Sequence, residues 1–256
     1  MTALTNKVAI VTGASSGIGR AAALLFAAEG ARLVITARRQ AELDKLVAEI
    51  KAAGGEAVAI AGDIREEALA QRLVETATET FGGLDIAFNN AGTVGDLGPI
   101  GQMTSESWRA LIETNLTSAF LGAKYQAPAL EVRGGGSLIF TASFVGYTAG
   151  LAGMSAYAAS KAGQIGLVKA LAAELGGKRI RVNALLPGGT DTPASITNDP
   201  ASGPEVTAFV EGMHALKRMA QPEEIARAAL FLASDASSFV TGTAFLADGG
   251  VSIQRG

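Results

Sequence analysis

The chain of 256 residues has no cysteine. That one absence removes disulfides, thiolate zinc centres, iron–sulfur ligation and a cysteine nucleophile. There is one histidine, His214, too few for a histidine metal site and with no evident partners for a Ser-His-Asp triad, so no metal is expected. With Asp191, Asp199, Glu205 and Glu211 near it in sequence, His214 is expected to be solvated, and the single tryptophan, Trp108, to pack its helix. Acid–base chemistry must then come from tyrosine, lysine or carboxylates. No basic run exceeds Arg38-Arg39 or Lys178-Arg179, and the net charge is -3, which leaves no electrostatic footprint for nucleic acid or anionic lipid. The longest apolar stretch near the start, residues 21–28, is far below the ~20 needed to span a bilayer. Residues 1–13 lack the apolar core and cleavage site of a signal peptide, so a cytoplasmic protein without membrane or nucleic-acid partners is expected.

Glycine, by contrast, is plentiful at 32 residues against 7 prolines, with 48% hydrophobic side chains, so the glycines serve folded turns rather than disorder. Short β-branched runs at 8–12, 33–36, 58–61, 86–89, 138–141, 182–186 and 244–246 alternate with helical patterns at 18–29, 41–53, 66–81, 105 to about 130, 154–175 and 222–234. The runs are continuously apolar, so both faces should be covered. The pattern predicts a Rossmann-type α/β fold, a doubly wound parallel sheet of about seven strands flanked by helices on both faces. No linker divides it, and residues 1–256 are expected to form a single dinucleotide-binding domain. Its one irregular stretch, 190–217, carries Pro193, Pro200, Gly203 and Pro204 after a strand end, where open α/β sheets bind ligands, and reads as a substrate lid.

The first strand runs into Thr12-Gly13-Ala14-Ser15-Ser16-Gly17-Ile18-Gly19 and then directly into a helix. Glycines there let the backbone turn sharply against a pyrophosphate held by helix N-terminal amides, which makes Gly13, Ser15, Ser16, Gly17, Ile18 and Gly19 candidate dinucleotide ligands. The Gly-x-x-x-Gly-x-Gly spacing departs from the Gly-x-Gly-x-x-Gly fingerprint but keeps its strand, turn and helix logic. After the second strand, where an NAD site would place a carboxylate, stand Ala37, Arg38 and Arg39. A guanidinium grips a ribose 2′-phosphate, so NADP(H) is favoured, with NAD(H) the alternative. Asp63, followed by Ile64, ends the third strand and is placed to accept a hydrogen bond from the adenine amino group.

Tyr157 and Lys161 lie four residues apart in a helical pattern and so share a face. A neighbouring ammonium favours phenolate, and Lys161 is expected to pull the Tyr157 pKa toward working pH. Ser143, just after the fifth strand, lies at the ligand-binding edge, where its hydroxyl could hold a substrate oxygen.

With these motifs in order, the chain resembles a short-chain dehydrogenase/reductase over essentially its whole length. The resemblance also rests on Asn89-Asn90-Ala91-Gly92, on Asn115 within Glu113-Thr114-Asn115-Leu116-Thr117, on Pro187-Gly188 and on Ala247-Asp248-Gly249-Gly250. It implies a catalytic tetrad of Asn115, Ser143, Tyr157 and Lys161, with Tyr157 as general acid in reduction and base in oxidation. It implies that Lys161 binds the nicotinamide ribose, and that Asn115 holds a water joining Lys161 to solvent. It also places Asn89, Ala91 and Gly92 near the adenine ribose, and residues 187–192, including Pro187, Gly188, Thr190 and Thr192, against the nicotinamide. Thr190 replaces the family's usual isoleucine. Ser16 stands where NADP-preferring relatives often carry a basic residue, so the NADP(H) reading rests on Arg38 and Arg39.

Phe144, Val145, Tyr147, Leu151 and Met154, with Ile196, Val206, Phe209 and Met213 of the lid, make the expected substrate pocket apolar. The family resemblance implies a homotetramer, and small positions read as outward, namely Ala119, Gly122, Ala162, Gly166 and Ala170, would let helices approach across an interface. The leading reading is an NADP(H)-dependent oxidoreductase interconverting a carbonyl and a secondary alcohol on a small to medium, largely apolar or neutral substrate. Alternatives are a 3-oxoacyl-thioester (acyl carrier protein) reductase, whose carrier would need Lys124, Arg133 and Lys169 as a docking surface, and an NAD-dependent alcohol or sugar dehydrogenase. A non-catalytic nucleotide sensor is the remaining alternative.

Overall fold

The computed structural model describes residues 2–254. Its strands β1 (Val8–Thr12), β2 (Arg32–Ala37), β3 (Glu56–Ala61), β4 (Ile86–Asn89), β5 (Gly136–Thr141), β6 (Ile180–Pro187) and β7 (Ala244–Ala247) form one sheet in the order 3-2-1-4-5-6-7. Every pairing is parallel. The helices between them are α1 (Gly17–Ala28), α2 (Gln40–Ala52), α3 (Glu67–Phe81), α4 (Ser105–Ile112), α5 (Ser118–Arg133), α6 (Ser155–Leu175), α7 (Pro204–Met213) and α8 (Pro222–Ala233).

The unbroken apolar runs become two cores because successive side chains of a strand leave opposite faces. Ala9 and Val11 of β1 pack with Phe26 of α1, Leu46 of α2 and Leu232 of α8. Val8 and Ile10 face the other way, toward the layer of α3, α5 and α6, where Leu73, Leu130 and Val168 are buried. This is the predicted Rossmann-type doubly wound sheet. Strand order reverses between β1 and β4, and the crevice beyond their carboxyl ends is where such sheets take ligands.

Strands β5 and β6 each begin two residues before their expected runs, and other details also depart from the periodicity. The stretch predicted from 105 to about 130 is α4 and α5 joined by a π-helical turn, Glu113–Thr117. It runs to Arg133, where Gly134 takes a left-handed φ of 96° and stops it. Strand β3 begins at Glu56, two residues early, because Glu56 pairs with Arg32 at the sheet edge. Within 190–217 the prolines punctuate rather than prevent structure: Pro204 opens the ten-residue helix α7, where a missing N–H costs nothing. Among the described residues no helix is long and apolar enough to cross a membrane.

Candidate active site

Strand β1 delivers the chain to Gly13, at a φ of 69°, and α1 starts at Gly17, at 53°, both in the left-handed region that only glycine enters at little cost. A Cβ on Gly19 would lie 2.3 Å from the Gly13 carbonyl oxygen, so the loop is closed down to bare backbone. Ser16 makes no side-chain cap and the first turn of α1 holds no acidic residue, leaving the helix's first amides for an anion. This side-chain-free cradle fits the pyrophosphate of a dinucleotide. Thr12 Oγ1 accepts from the amides of Asn90 and Ala91, both at 3.0 Å, and ties the ends of β1 and β4 together. The Asn89 side chain turns inward: it exchanges hydrogen bonds with Gln126 at 2.7 and 3.0 Å and locks β4 to α5. Gly92 lies beside Asn115 and Lys161: a Cβ there would stand 3.1 Å from Asn115 Oδ1 and 3.4 Å from Lys161 Nζ.

At the end of β2 both Arg38 and Arg39 are exposed, and Arg39 Nη2 donates to Ser15 Oγ at 2.9 Å. The second arginine therefore spans from β2 to the glycine loop. Asp63 is already engaged: Arg65 donates to its carboxylate through Nε at 3.0 and 3.1 Å and Nη2 at 2.6 Å. This pairing, with Arg38 adding its field, holds the Asp63 carboxyl below its ordinary range. Arg65 was not singled out from sequence, although its place two residues after Asp63 was a signal. Arg38 and Arg65 thus both act on the Asp63 carboxylate, which is neutralised by its pairing with Arg65. Ile64 lines the small cavity behind it with Asn89 and Ala91.

The four tetrad positions converge at the carboxyl edge of β5. Asn115, fully buried in the π-turn, accepts from the Thr93 amide at 2.9 Å and donates to Thr93 O at 2.9 Å and to Ser160 Oγ at 3.1 Å. Ser143 Oγ accepts from the Val145 amide at 3.1 Å. Lys161, 3% exposed, donates to Thr141 O at 2.7 Å, with its Nζ 5.6 Å from the Tyr157 ring centroid.

The expected lowering of the Tyr157 pKa is not what this geometry produces. Burial pushes the phenol up, opposed only by the Ser143 hydroxyl, and burial pulls Lys161 down to about 7. Its ammonium is aimed at a backbone carbonyl, and both groups lose hydration, which disfavours charge on either. Tyr157 is therefore a protonated phenol at neutral pH, the form that donates in a reduction.

The Lys161 value has a consequence for stability. Between about 7 and 10.5 the folded state binds fewer protons here than the unfolded chain. The penalty thus grows as pH falls through that window, is complete below about 7 and vanishes above 10.5. The span corresponds to roughly 5 kcal/mol, against which Lys161→Met leaves both Thr141 O and Gln164 Oε1 without their donor, at about 1–3 kcal/mol each. Lys161→Met should therefore lose turnover and compare best with the parent at pH 7, its melting temperature falling relative to the parent's toward pH 10. Melting curves of both proteins at pH 7, 8.5 and 10 check this; a difference that does not change with pH, or that moves in the variant's favour as pH rises, contradicts it.

Next to Tyr157 lies an apolar cluster of Phe144, Val145 and Val251 with Leu151, Met154 and Met213 packed on it. Val251 was not anticipated, whereas Tyr147 and Phe209 are largely exposed. Gly188 donates to Ala247 O at 3.2 Å, and a Cβ on it would lie 2.7 Å from Asp248 O. This packs the turn after Pro187 onto β7. Thr190 Oγ1 donates back to Gly188 O at 3.1 Å. The Thr192 methyl covers Gly17, 3.0 Å from where a Cβ would stand. The solvated reading of His214 is corrected: it is 1% exposed, with Nδ1 2.7 Å from Val210 O and Nε2 accepting from the Gly189 amide at 2.9 Å. A carbonyl at Nδ1 and an amide at Nε2 require the neutral tautomer protonated on Nδ1. The imidazole pins the end of α7 to the turn after β6, a partnership across 25 residues that local acidity could not reveal.

A family model described as enoyl-(acyl carrier protein) reductase matches residues 13–252. Cyclohexanol dehydrogenase of Acinetobacter sp. (strain SE19) is 40% identical over 244 residues, covering 95% of this chain and 94% of that protein. The crystal structure of a short-chain type dehydrogenase/reductase from Mycobacterium marinum is 36% identical with a TM-score of 0.91, covering 98% of this chain and 97% of the other. Carveol dehydrogenase from Mycobacterium avium, solved in complex with NAD, is 30% identical with a TM-score of 0.94, covering 99% of this chain and all of the other.

Proposed function

Since this chain belongs to the short-chain dehydrogenase/reductase family, we propose that it is an NADP(H)-dependent carbonyl reductase and alcohol dehydrogenase for small to medium, largely apolar or neutral substrates. The observation that carries this reading is the meeting of Tyr157 and Lys161 with Ser143, against an apolar cluster, at the carboxyl edge of β5.

A bound nicotinamide dinucleotide supplies the hydride in reduction and takes it up in oxidation. As negative charge grows on the substrate oxygen, Ser143 Oγ and Tyr157 Oη donate hydrogen bonds to it, and Tyr157 delivers the proton. In oxidation Tyr157 takes that proton back. Lys161 binds the ribose. Asn115 holds the π-turn against Thr93 and Ser160, which sets the depth of the lysine below the cleft. Gly13, Ser15, Ser16, Gly17, Ile18 and Gly19 hold the pyrophosphate, Asp63, Ile64, Asn89, Ala91 and Gly92 border the adenosine, and Pro187, Gly188, Thr190 and Thr192 border the nicotinamide. Residues 190–217 serve as the substrate lid, with His214 at its base.

Arg38 and Arg39, with the nearby Asp63 carboxylate paired to Arg65, support NADP(H) over NAD(H). Fluorescence titration should show tighter binding of NADPH than NADH. Replacing Arg38 and Arg39 together by leucine should weaken NADPH at least tenfold, the scale of one lost charge-assisted contact, and change NADH little. Equal affinity of the parent for both would remove the preference.

The description of the matching family model is the specific observation that favours acyl carrier protein substrates. Against it, Lys124 is paired with Glu67 and Arg133 with Asp85, so two of the three cations proposed to dock a carrier are neutralised within the chain. Activity on cyclic and bicyclic ketones without activity on 3-oxoacyl thioesters decides for the first reading. The homotetramer belongs to the same proposal, with a change of surface. Ala119 and Gly122 are buried against the sheet rather than outward, while Ala162, Gly166 and Ala170 are exposed. Phe120 and Trp108 also stand partly exposed on α5 and α4.

A further inference from the structure

Gln164 lies three residues after Lys161 and seven after Tyr157, so the three side chains share one face of α6. It is 2% exposed, among Ile165 and Val168, where a carboxamide is costly unless both its ends are satisfied. Both ends are used. Its Oε1 accepts from Lys161 Nζ at 3.4 Å, and its Nε2 donates to the main-chain oxygen of Asn115 at 2.7 Å. The Asn115 carbonyl belongs to the π-turn, the kind of irregularity at which an inserted side chain can take a place in the helical hydrogen-bond ladder. The side chain of the same asparagine donates to Ser160, which itself donates to Tyr157 O at 2.8 Å. Two short links therefore join the π-turn to the face of α6 that carries the reacting groups.

We propose that Gln164 is a positioning residue that couples Lys161 to Asn115 through its carboxamide. The proposal rests on the reading of Tyr157 and Lys161 as the working pair. A carboxamide neither binds nor releases a proton near neutral pH, so Gln164 aims the lysine and supports its charge through a carbonyl dipole.

Two variants of glutamine's length separate this from simple space filling. Gln164→Met keeps the volume and removes both hydrogen bonds. Gln164→Glu keeps an acceptor for Lys161, adds negative charge and gives up the donor to Asn115. The readout is the pH titration of the Lys161 side-chain nitrogen resonance in the ¹⁵N-lysine-labelled free protein, together with kcat and KM for one ketone. The expected result is a Lys161 titration shifted to lower pH in Gln164→Met and to higher pH in Gln164→Glu. In Gln164→Met kcat should fall about tenfold at nearly unchanged KM, the scale of one hydrogen bond to a charged group. Titrations that match the parent, or that shift in the same direction in both variants, would overturn the coupling. If Gln164→Met is unstable, Gln164→Leu takes its place, and a Lys161 titration unchanged from the parent overturns the coupling. The titration needs no turnover: normal activity in Tyr157→Phe would sink the catalytic reading, while opposite shifts in the Gln164 variants would still establish the coupling.

Discussion

Tyr157→Phe is expected to lower kcat for ketone reduction by about 10²- to 10⁴-fold, the usual contribution of a positioned general acid, with NADPH affinity changed only a few-fold. The phenol oxygen is the only heavy atom removed, so the ring keeps its place against Phe144, Val145 and Met154. Because burial holds the parent's phenol protonated at neutral pH, reduction by the parent should decline as pH rises toward the phenol's titration, whereas oxidation, which needs the phenolate, should rise. Steady-state rates in both directions from pH 6 to 10 test the pair of statements. A Tyr157→Phe protein retaining most of its turnover would show that the proton comes from elsewhere.

Gly19→Ala should weaken dinucleotide binding by tenfold or more, although it adds a single methyl group. That methyl would sit 2.3 Å from Gly13 O and 2.7 Å from Asn90 Nδ2. The first neighbour is backbone, so the loop itself must move. Overpacking of this kind costs about 1–3 kcal/mol or more, and it falls on the atoms that shape the anion cradle. Gly176→Ala supplies the control. It lies exposed at the C-terminal end of α6 in right-handed helical conformation, with open space around the added carbon, where alanine is the better helix former, and both cofactor affinity and melting temperature should hold or rise slightly. Calorimetric titration of the two variants with NADPH checks the contrast; equal affinities would mean that the cradle does not bind the pyrophosphate.

Much of the fold was legible because it depends on local pattern. The apolar run of β1, followed at once by the three glycines and a helical period, needs no distant residue to be read as strand, turn and helix. Tyr157 and Lys161 were legible for the same reason, since four residues on one helix place two side chains together whatever surrounds them. Less legible were features that depend on a partner far along the chain. The hydrophobic period through residues 105–130 does not register a π-turn, which is held by contacts from Asn115 to Thr93, Ser160 and Gln164. The acidic company of His214 in sequence suggested solvent, but the ring closes on Gly189 instead.

The amino-acid sequence by itself determined the absence of cysteine chemistry, the parallel sheet and the glycine turn between β1 and α1, which follow from composition, period and short spacing, and its ordered motifs carried the resemblance to the family. Only the tertiary structure decided the charge states and connections within the site. It paired Asp63 with Arg65, kept Tyr157 protonated, drew Lys161 down to about 7 and placed Gln164 between Lys161 and Asn115. The physical reason is that pKa values and hydrogen-bond partners are set by how much water is excluded and by which groups face each other, and both exist only once distant segments have packed.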